Sequence, residues 1–125
     1  MRFVLFAHSL ISDWNHGNAH FLRGLVRALQ RRGHEVVACE RWRSWSCDEL
    51  YRDHGPGPIV EFARQFPDIR IRTYGDWSGI LDEVDELTRG ADVVLVHEFN
   101  EPELVGAVGH VRHRRGDYLL LFHDT

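Results

Sequence analysis

The chain has 125 residues, 43% hydrophobic and 27% charged, with a formal net charge of −4 at neutral pH. That describes one globular domain with enough apolar matter for a real core. It has no run of about twenty apolar residues to cross a membrane, no signal-peptide layout around its short apolar start, and no basic stripe to grip nucleic acid. A cytoplasmic chain is therefore expected.

All 15 basic residues are arginine. The lack of lysine removes the phosphate-loop lysine, Schiff-base chemistry with pyridoxal phosphate and the Ser-x-x-Lys nucleophile pair. It also argues against a phosphoacceptor receiver domain, and a GC-rich genome accounts for the bias. Two cysteines, Cys39 and Cys47, are too few for a disulfide framework.

In chain order, Phe3–Ala7 reads as the first strand. Asn18 to Arg32 reads as a helix with Phe21, Leu22, Leu25, Val26 and Leu29 on one face, where Gly24 allows close approach to a sheet. Glu35 to Glu40 is the second strand. The region Arg41 to Asp68 is less regular, broken at Gly55-Pro56-Gly57-Pro58 between short helices at Cys47–Arg52 and Ile59–Phe66. Ile69 to Tyr74 is the third strand. Ser78 to Thr88 is an amphipathic helix with Ile80, Leu81, Val84 and Leu87 inward. Asp92–His97 is the fourth strand. A further helix starts near Pro102 and carries Leu104, Val105, Val108 and Val111 on one side. Tyr118–Phe122 is the fifth strand.

Three segments repeat one device: Arg31-Arg32-Gly33 before Val36, Arg89-Gly90 before Val93, and Arg114-Arg115-Gly116 before Leu119. Arginine meets the carbonyls of a helix end, glycine closes the helix in the left-handed conformation, and a strand follows at once. Short helix-to-strand turns recurring in this way imply parallel β/α units. The third strand alternates Ile69 and Ile71 with Arg70 and Arg72, as an edge does, whereas strands one, four and five are continuously apolar. The expected fold is α/β: a Rossmann-like open parallel sheet of about five strands in order 3-2-1-4-5, with helices on both faces. The fifth strand is as apolar as a central one, yet no helix follows it, so the native polypeptide is expected to continue.

Ligands of such sheets bind beyond the carboxyl ends of the strands, where strand order reverses. Three strands end in histidine, His8-Ser9, His97-Glu98 and His123-Asp124; in the expected order His8 and His97 flank the reversal and His123 stands next to it. The loop after strand one also supplies Asp13, Trp14, His16, Gly17 and Asn18. Gly17 permits close backbone approach, Asn18 suits the helix N-cap, and the helix start offers free N–H groups to an anion. Trp14 could either stack on a sugar or anchor the loop. Other readings fail. Gly-x-Gly-x-x-Gly is missing, so a standard dinucleotide site is not expected. His16 and His20 lack a third ligand for zinc. No Asp-x-Asp follows a strand, and no Gly-x-Ser-x-Gly elbow surrounds Ser9.

The run Gly17-Asn18-Ala19-His20-Phe21-Leu22-Arg23-Gly24-Leu25, leading into Arg32-Gly33-His34-Glu35-Val36, resembles the opening of GT-B glycosyltransferases of the family 4 type. Val94-Leu95-Val96-His97-Glu98 and Leu120-Leu121-Phe122-His123-Asp124 resemble that family's segments after strands four and five. The resemblance spans the chain in order. It implies the N-terminal, acceptor-side half of a two-domain enzyme, with the donor domain missing. It further implies sugar transfer from a nucleotide sugar to an acceptor with retention, with no metal or other cofactor, and no activity in this half alone.

Under the resemblance Gly17 matches the glycine loop near donor phosphates or acceptor. His123 matches the histidine beside the donor sugar, hence a catalytic residue. His97 and Glu98 match the acceptor side. His8, Ser9, Asp13, Trp14, His16, Asn18 and Asp124 complete the expected substrate-binding rim. The family often pairs glycines in the loop; here His16 precedes Gly17, which suggests an unusual acceptor or loop shape. The expected partners are the sugar acceptor, the nucleotide sugar and the C-terminal domain, and peripheral membrane attachment of the longer enzyme is compatible with this. Two alternatives stay open: a stand-alone binding or scaffold module that dimerises through strand five, and the first half of a GT-B nucleotide-sugar epimerase.

Overall fold

The computed structural model describes residues 1–8, 10, 17–42, 45–75 and 77–124. In chain order they form β1 (Arg2–Phe6), α1 (Gly17–Arg31), β2 (Glu35–Arg41), α2 (Trp45–His54), α3 (Gly57–Gln65), β3 (Arg70–Tyr74), α4 (Ile80–Leu87), β4 (Val93–His97), α5 (Pro102–Arg115) and β5 (Leu119–His123). The five strands form one sheet in the order β3-β2-β1-β4-β5, and every pairing is parallel. The fold is α/β and Rossmann-like, as the sequence predicts.

The alternation of side chains across the strands divides the core in two. Val4, Phe6, Val37, Cys39, Val94 and Val96 pack beneath α4 and α5. Leu5, Ala7, Val36 and Ala38, with Leu95 partly buried, pack beneath α1 and α3 through Leu22, Val26 and Phe62. The three expected turns hold, with Gly33, Gly90 and Gly116 at φ +84, +75 and +69. Arg115 closes the end of α4 from a distance: its guanidinium donates to the carbonyls of Asp85 (2.9 Å) and Thr88 (3.2 Å).

Three helix expectations are corrected. Phe21 does not face the core; it is 50% exposed, because α1 leans its first turn over the end of β5. Leu81 lies outward, 41% exposed, leaving Ile80, Val84 and Leu87 to pack. Gly24 is exposed, and a Cβ there would meet no atom within 4 Å, so it is not a close-approach glycine.

The sheet edges differ. On β3, Arg70 and Arg72 are exposed, the charged guard that keeps an edge from pairing. On β5, Leu119 (56%), Leu121 (44%) and Phe122 (57%) are exposed and no charge lies within the strand.

Candidate functional site: an aromatic and imidazole rim

Parallel strands bring all their carboxyl ends to one rim. The register pairs His97 of β4 with His123 of β5, and alternation sets both on the face that carries α1. Their ring centroids are 5.0 Å apart. One turn into α1, Phe21 stacks on His123 at 5.0 Å and 20°. On the other side Phe99 meets His97 edge-on at 5.0 Å and 72°. The four rings form a row, Phe21–His123–His97–Phe99, with His97 buried, His123 half-buried and both phenyl ends exposed.

The turn after β4 is pinned. The Glu98 N–H donates to the His123 carbonyl at 2.9 Å, carrying the β4–β5 ladder past the strand. The Phe99 N–H donates to His97 Nδ1 at 3.1 Å. A backbone N–H can only donate, so Nδ1 accepts, and the neutral ring carries its proton on Nε2. His97 is 2% exposed. His123 Nδ1 is buried and has no hydrogen-bond partner among the described residues.

Asn100, 7% exposed, holds the turn down. Its side-chain amide donates to the carbonyls of Phe6 (2.7 Å) and His97 (2.9 Å), joining the ends of β1 and β4. The Tyr74 hydroxyl lies 3.5 Å from the Asn100 Oδ1. Burial, with the Glu101 charge second, pushes that hydroxyl well above the ordinary tyrosine range.

A second clamp fixes the chain just after β1. Leu10 is fully buried. The carboxylate of Glu40, 3% exposed, accepts from the Leu10 N–H, and Arg23 Nε donates to the Leu10 carbonyl at 2.6 Å. The Arg23 guanidinium lies over the rings of Phe62 (5.0 Å) and Phe66 (5.1 Å). A charge-assisted hydrogen bond from each side sets the direction in which the β1–α1 loop departs.

Of the sequence-predicted residues, His97 and His123 are in contact. Glu98 is bonded to β5 through its backbone, half-buried His8 and exposed Asp124 follow their strands at the same rim, and Gly17 opens α1 there. Ser9, Asp13, Trp14 and His16 lie outside the described residues, as does the side chain of Asn18, whose backbone is inside α1 rather than at its N-cap because the helix begins one residue earlier. Phe99, Asn100, Glu40 and Arg23 are not marked as site residues by the sequence pattern, and Phe21 is marked only as a core residue. Among the described residues no group of three or more His, Cys, Asp or Glu side chains could hold a metal ion. Two recesses lie elsewhere, flanking α1: about 450 Å3 lined by Arg27, Gln30, Arg31 and Asp68, and about 210 Å3 beside Phe62 and Phe66.

No protein-family model matches the chain, and no curated protein matches it.

Proposed function

We propose that the chain is the acceptor-side half of a retaining, metal-independent glycosyltransferase, working against a nucleotide-sugar-binding domain that closes over the rim. The observation that carries this reading is the meeting of His97, His123 and the start of α1 over the ends of β4 and β5, next to the reversal of strand order between β1 and β4. A sugar–diphosphate bond breaks with positive charge growing on the sugar ring and negative charge on the departing phosphate. Free N–H groups at a helix start are already oriented towards such an anion. His123 beside the sugar is a fixed hydrogen-bonding group for sugar hydroxyls, and buried His97 holds the turn that carries Glu98 on the acceptor side. Closure by the second domain excludes water that would otherwise hydrolyse the donor. In this reading the chain remains cytoplasmic, with sugar acceptor and nucleotide sugar as its partners.

The test is turnover. The 125 residues alone transfer nothing from any nucleotide sugar. Joined to its donor-binding half, the enzyme loses at least about a hundredfold in kcat when His123 becomes Ala, without loss of melting temperature. Turnover by the isolated chain, or a His123→Ala enzyme at normal rate, would sink the reading.

One observation favours a second reading, a binding module that pairs through β5: the apolar, unguarded outer strand. Sedimentation separates the two. A tight dimer burying Leu119 and Leu121 supports the module, and a monomer supports the transferase half.

A further inference from the structure

Resting on the acceptor-side reading, we infer that Arg41 selects an acceptor sugar that carries an anionic group, a phosphate or a carboxylate. The first observation is a guanidinium held in place with no acceptor bonded to it. Arg41 ends β2, where the register sets it beside Tyr74. Its guanidinium lies over the Trp77 ring at 5.2 Å, and its side chain is only 30% exposed. Its ion-pair partner is Glu101, 3.6 Å from Nη1 to Oε1, too far for a hydrogen bond. Among the described residues no acceptor bonds the Arg41 guanidinium. Other partly buried arginines are bonded: Arg2 to Glu35 at 2.6 Å, Arg23 to the Leu10 carbonyl at 2.6 Å, and Arg115 to Asp85, Thr88 and Asp117. A guanidinium over an indole keeps its N–H edge, a fork that fits an oxyanion.

The second observation is that Glu101 is a weak occupant of that fork. It stands at the N-cap of α5, and its side chain caps nothing. Its carboxylate is 34% exposed. An ion pair this long and this exposed holds little energy, so an anion that brings charge-assisted hydrogen bonds displaces it.

The third is position. Strand alternation puts Arg41 on the α4–α5 face with Val37 and Cys39, opposite His97 and His123. Asn100, next to Glu101, joins the two sides by bonding the carbonyls of Phe6 and His97. An acceptor lying across the ends of β1 and β4 sets hydroxyls towards the histidines and its anionic group towards Arg41. The start of α1, assigned to the donor phosphate, is on the other face, so the two negative groups stay apart. Glu98, Glu101, Glu103 and Asp124 share the rim, while Glu83 is taken up by the Gly75 N–H at 2.8 Å. These acids oppose an anion, so its binding depends on Arg41 and is weakened most by Glu101.

The experiment titrates the purified chain with methyl β-D-glucoside, glucose 6-phosphate, methyl β-D-glucuronide and inorganic phosphate, following backbone amides and the Arg41 Nε–H by NMR. An anionic sugar is expected to shift Arg41, Trp77 and Glu101 and to bind about fivefold or more tighter than the neutral glycoside; whichever of the two binds tighter identifies the group. Arg41→Gln should abolish that preference and leave the neutral glycoside unchanged. Glu101→Gln, which removes the internal competitor, should raise the preference about threefold, whereas a purely structural pair moves neither. Should Arg41→Gln fail to fold, the gain in Glu101→Gln decides alone. If the neutral glycoside shifts His97–Asn100 and charge adds nothing, the anionic acceptor is refuted and the acceptor-side reading stands. A preference that survives Arg41→Gln, or shifts centred on Gly17–Phe21, places the anion elsewhere and overturns the proposal. Inorganic phosphate binding as tightly as glucose 6-phosphate overturns it too, since the sugar then plays no part. If no sugar shifts the rim, both fall.

Discussion

Removing the Asn100 side chain tests whether the rim is held as described. The amide makes two short hydrogen bonds, to Phe6 and His97, from a position that is 7% exposed. Asn100→Ala deletes both donors and leaves carbonyl oxygens at the ends of two central strands short of a partner. At about 1 kcal/mol net per bond, plus desolvation of what is left unpaired, the cost is about 2–3 kcal/mol. For a domain of this size a kilocalorie moves Tm by about 4 °C, so a drop of about 10 °C is expected by calorimetry.

Asn100→Asp is the sharper variant. At neutral pH it places a carboxylate against two carbonyl oxygens, and it should melt below Asn100→Ala. Burial beside those oxygens favours the protonated acid, so its folded pKa lies above its unfolded value near 3.9. The unfolded state then releases its proton first, and stability relative to wild type falls as pH rises above about 4. The Asp variant should regain ground on wild type as pH is lowered towards 4, where the acid can donate one of the lost bonds. A Tm loss under about 2 °C for the Ala variant, or an Asp variant whose deficit is independent of pH, would refute the clamp.

Three further outcomes follow from the packing. Burial pushes the Cys39 thiol up to about 12 despite the opposing fields of Arg72 and Arg2, so in a Cys47→Ser background iodoacetamide should label Cys39 at pH 8 only as fast as the chain unfolds; rapid native labelling contradicts the buried position. At Asp85, burial raises the carboxyl, but hydrogen bonds from Arg115 and Arg114 outweigh it and hold the group below the usual range. Its contribution is therefore present above about pH 4 and lost as pH falls through the lower folded value; Asp85→Asn should flatten that acid limb in a pH series of urea melts, and an unchanged limb denies the network. Gly116→Ala, at φ +69, should cost roughly 1 kcal/mol, whereas Gly24→Ala, exposed in mid-helix, should gain a little under 1 kcal/mol; urea midpoints moving the same way for both would contradict the turn assignment.

The sheet order could be read from the chain because each strand announces its place. Arg70 and Arg72 mark β3 as a wetted edge, and the arginine–glycine turns ending at Gly33, Gly90 and Gly116 mark parallel connections. The histidine rim was legible for the same reason, since a parallel sheet collects strand ends at one side. What surrounds those histidines was not. Phe21 falls on an apolar helical stripe, and only the lean of α1 over β5 turns it from core residue to ring partner. Asn100 reads as an ordinary turn residue, and its clamp depends on the distance between Phe6 and His97, residues 91 apart in sequence. Glu40 and Arg23 look like surface charges because their shared target, the Leu10 backbone, carries no side-chain signature. Side chain to backbone bonds across strands leave almost no trace in sequence pattern.

The place where a sugar lands tests the acceptor-side assignment most directly. A residue-resolved amide map of the labelled chain, titrated with methyl β-D-glucoside, measures this directly. The largest shifts should fall at Gly17–Phe21, His97–Asn100 and His123–Asp124, with the opposite rim at Gly33, Gly90 and Gly116 unmoved. Shifts centred on Arg27, Arg31 and Asp68, in the recess beside α1, would place the site elsewhere and contradict it.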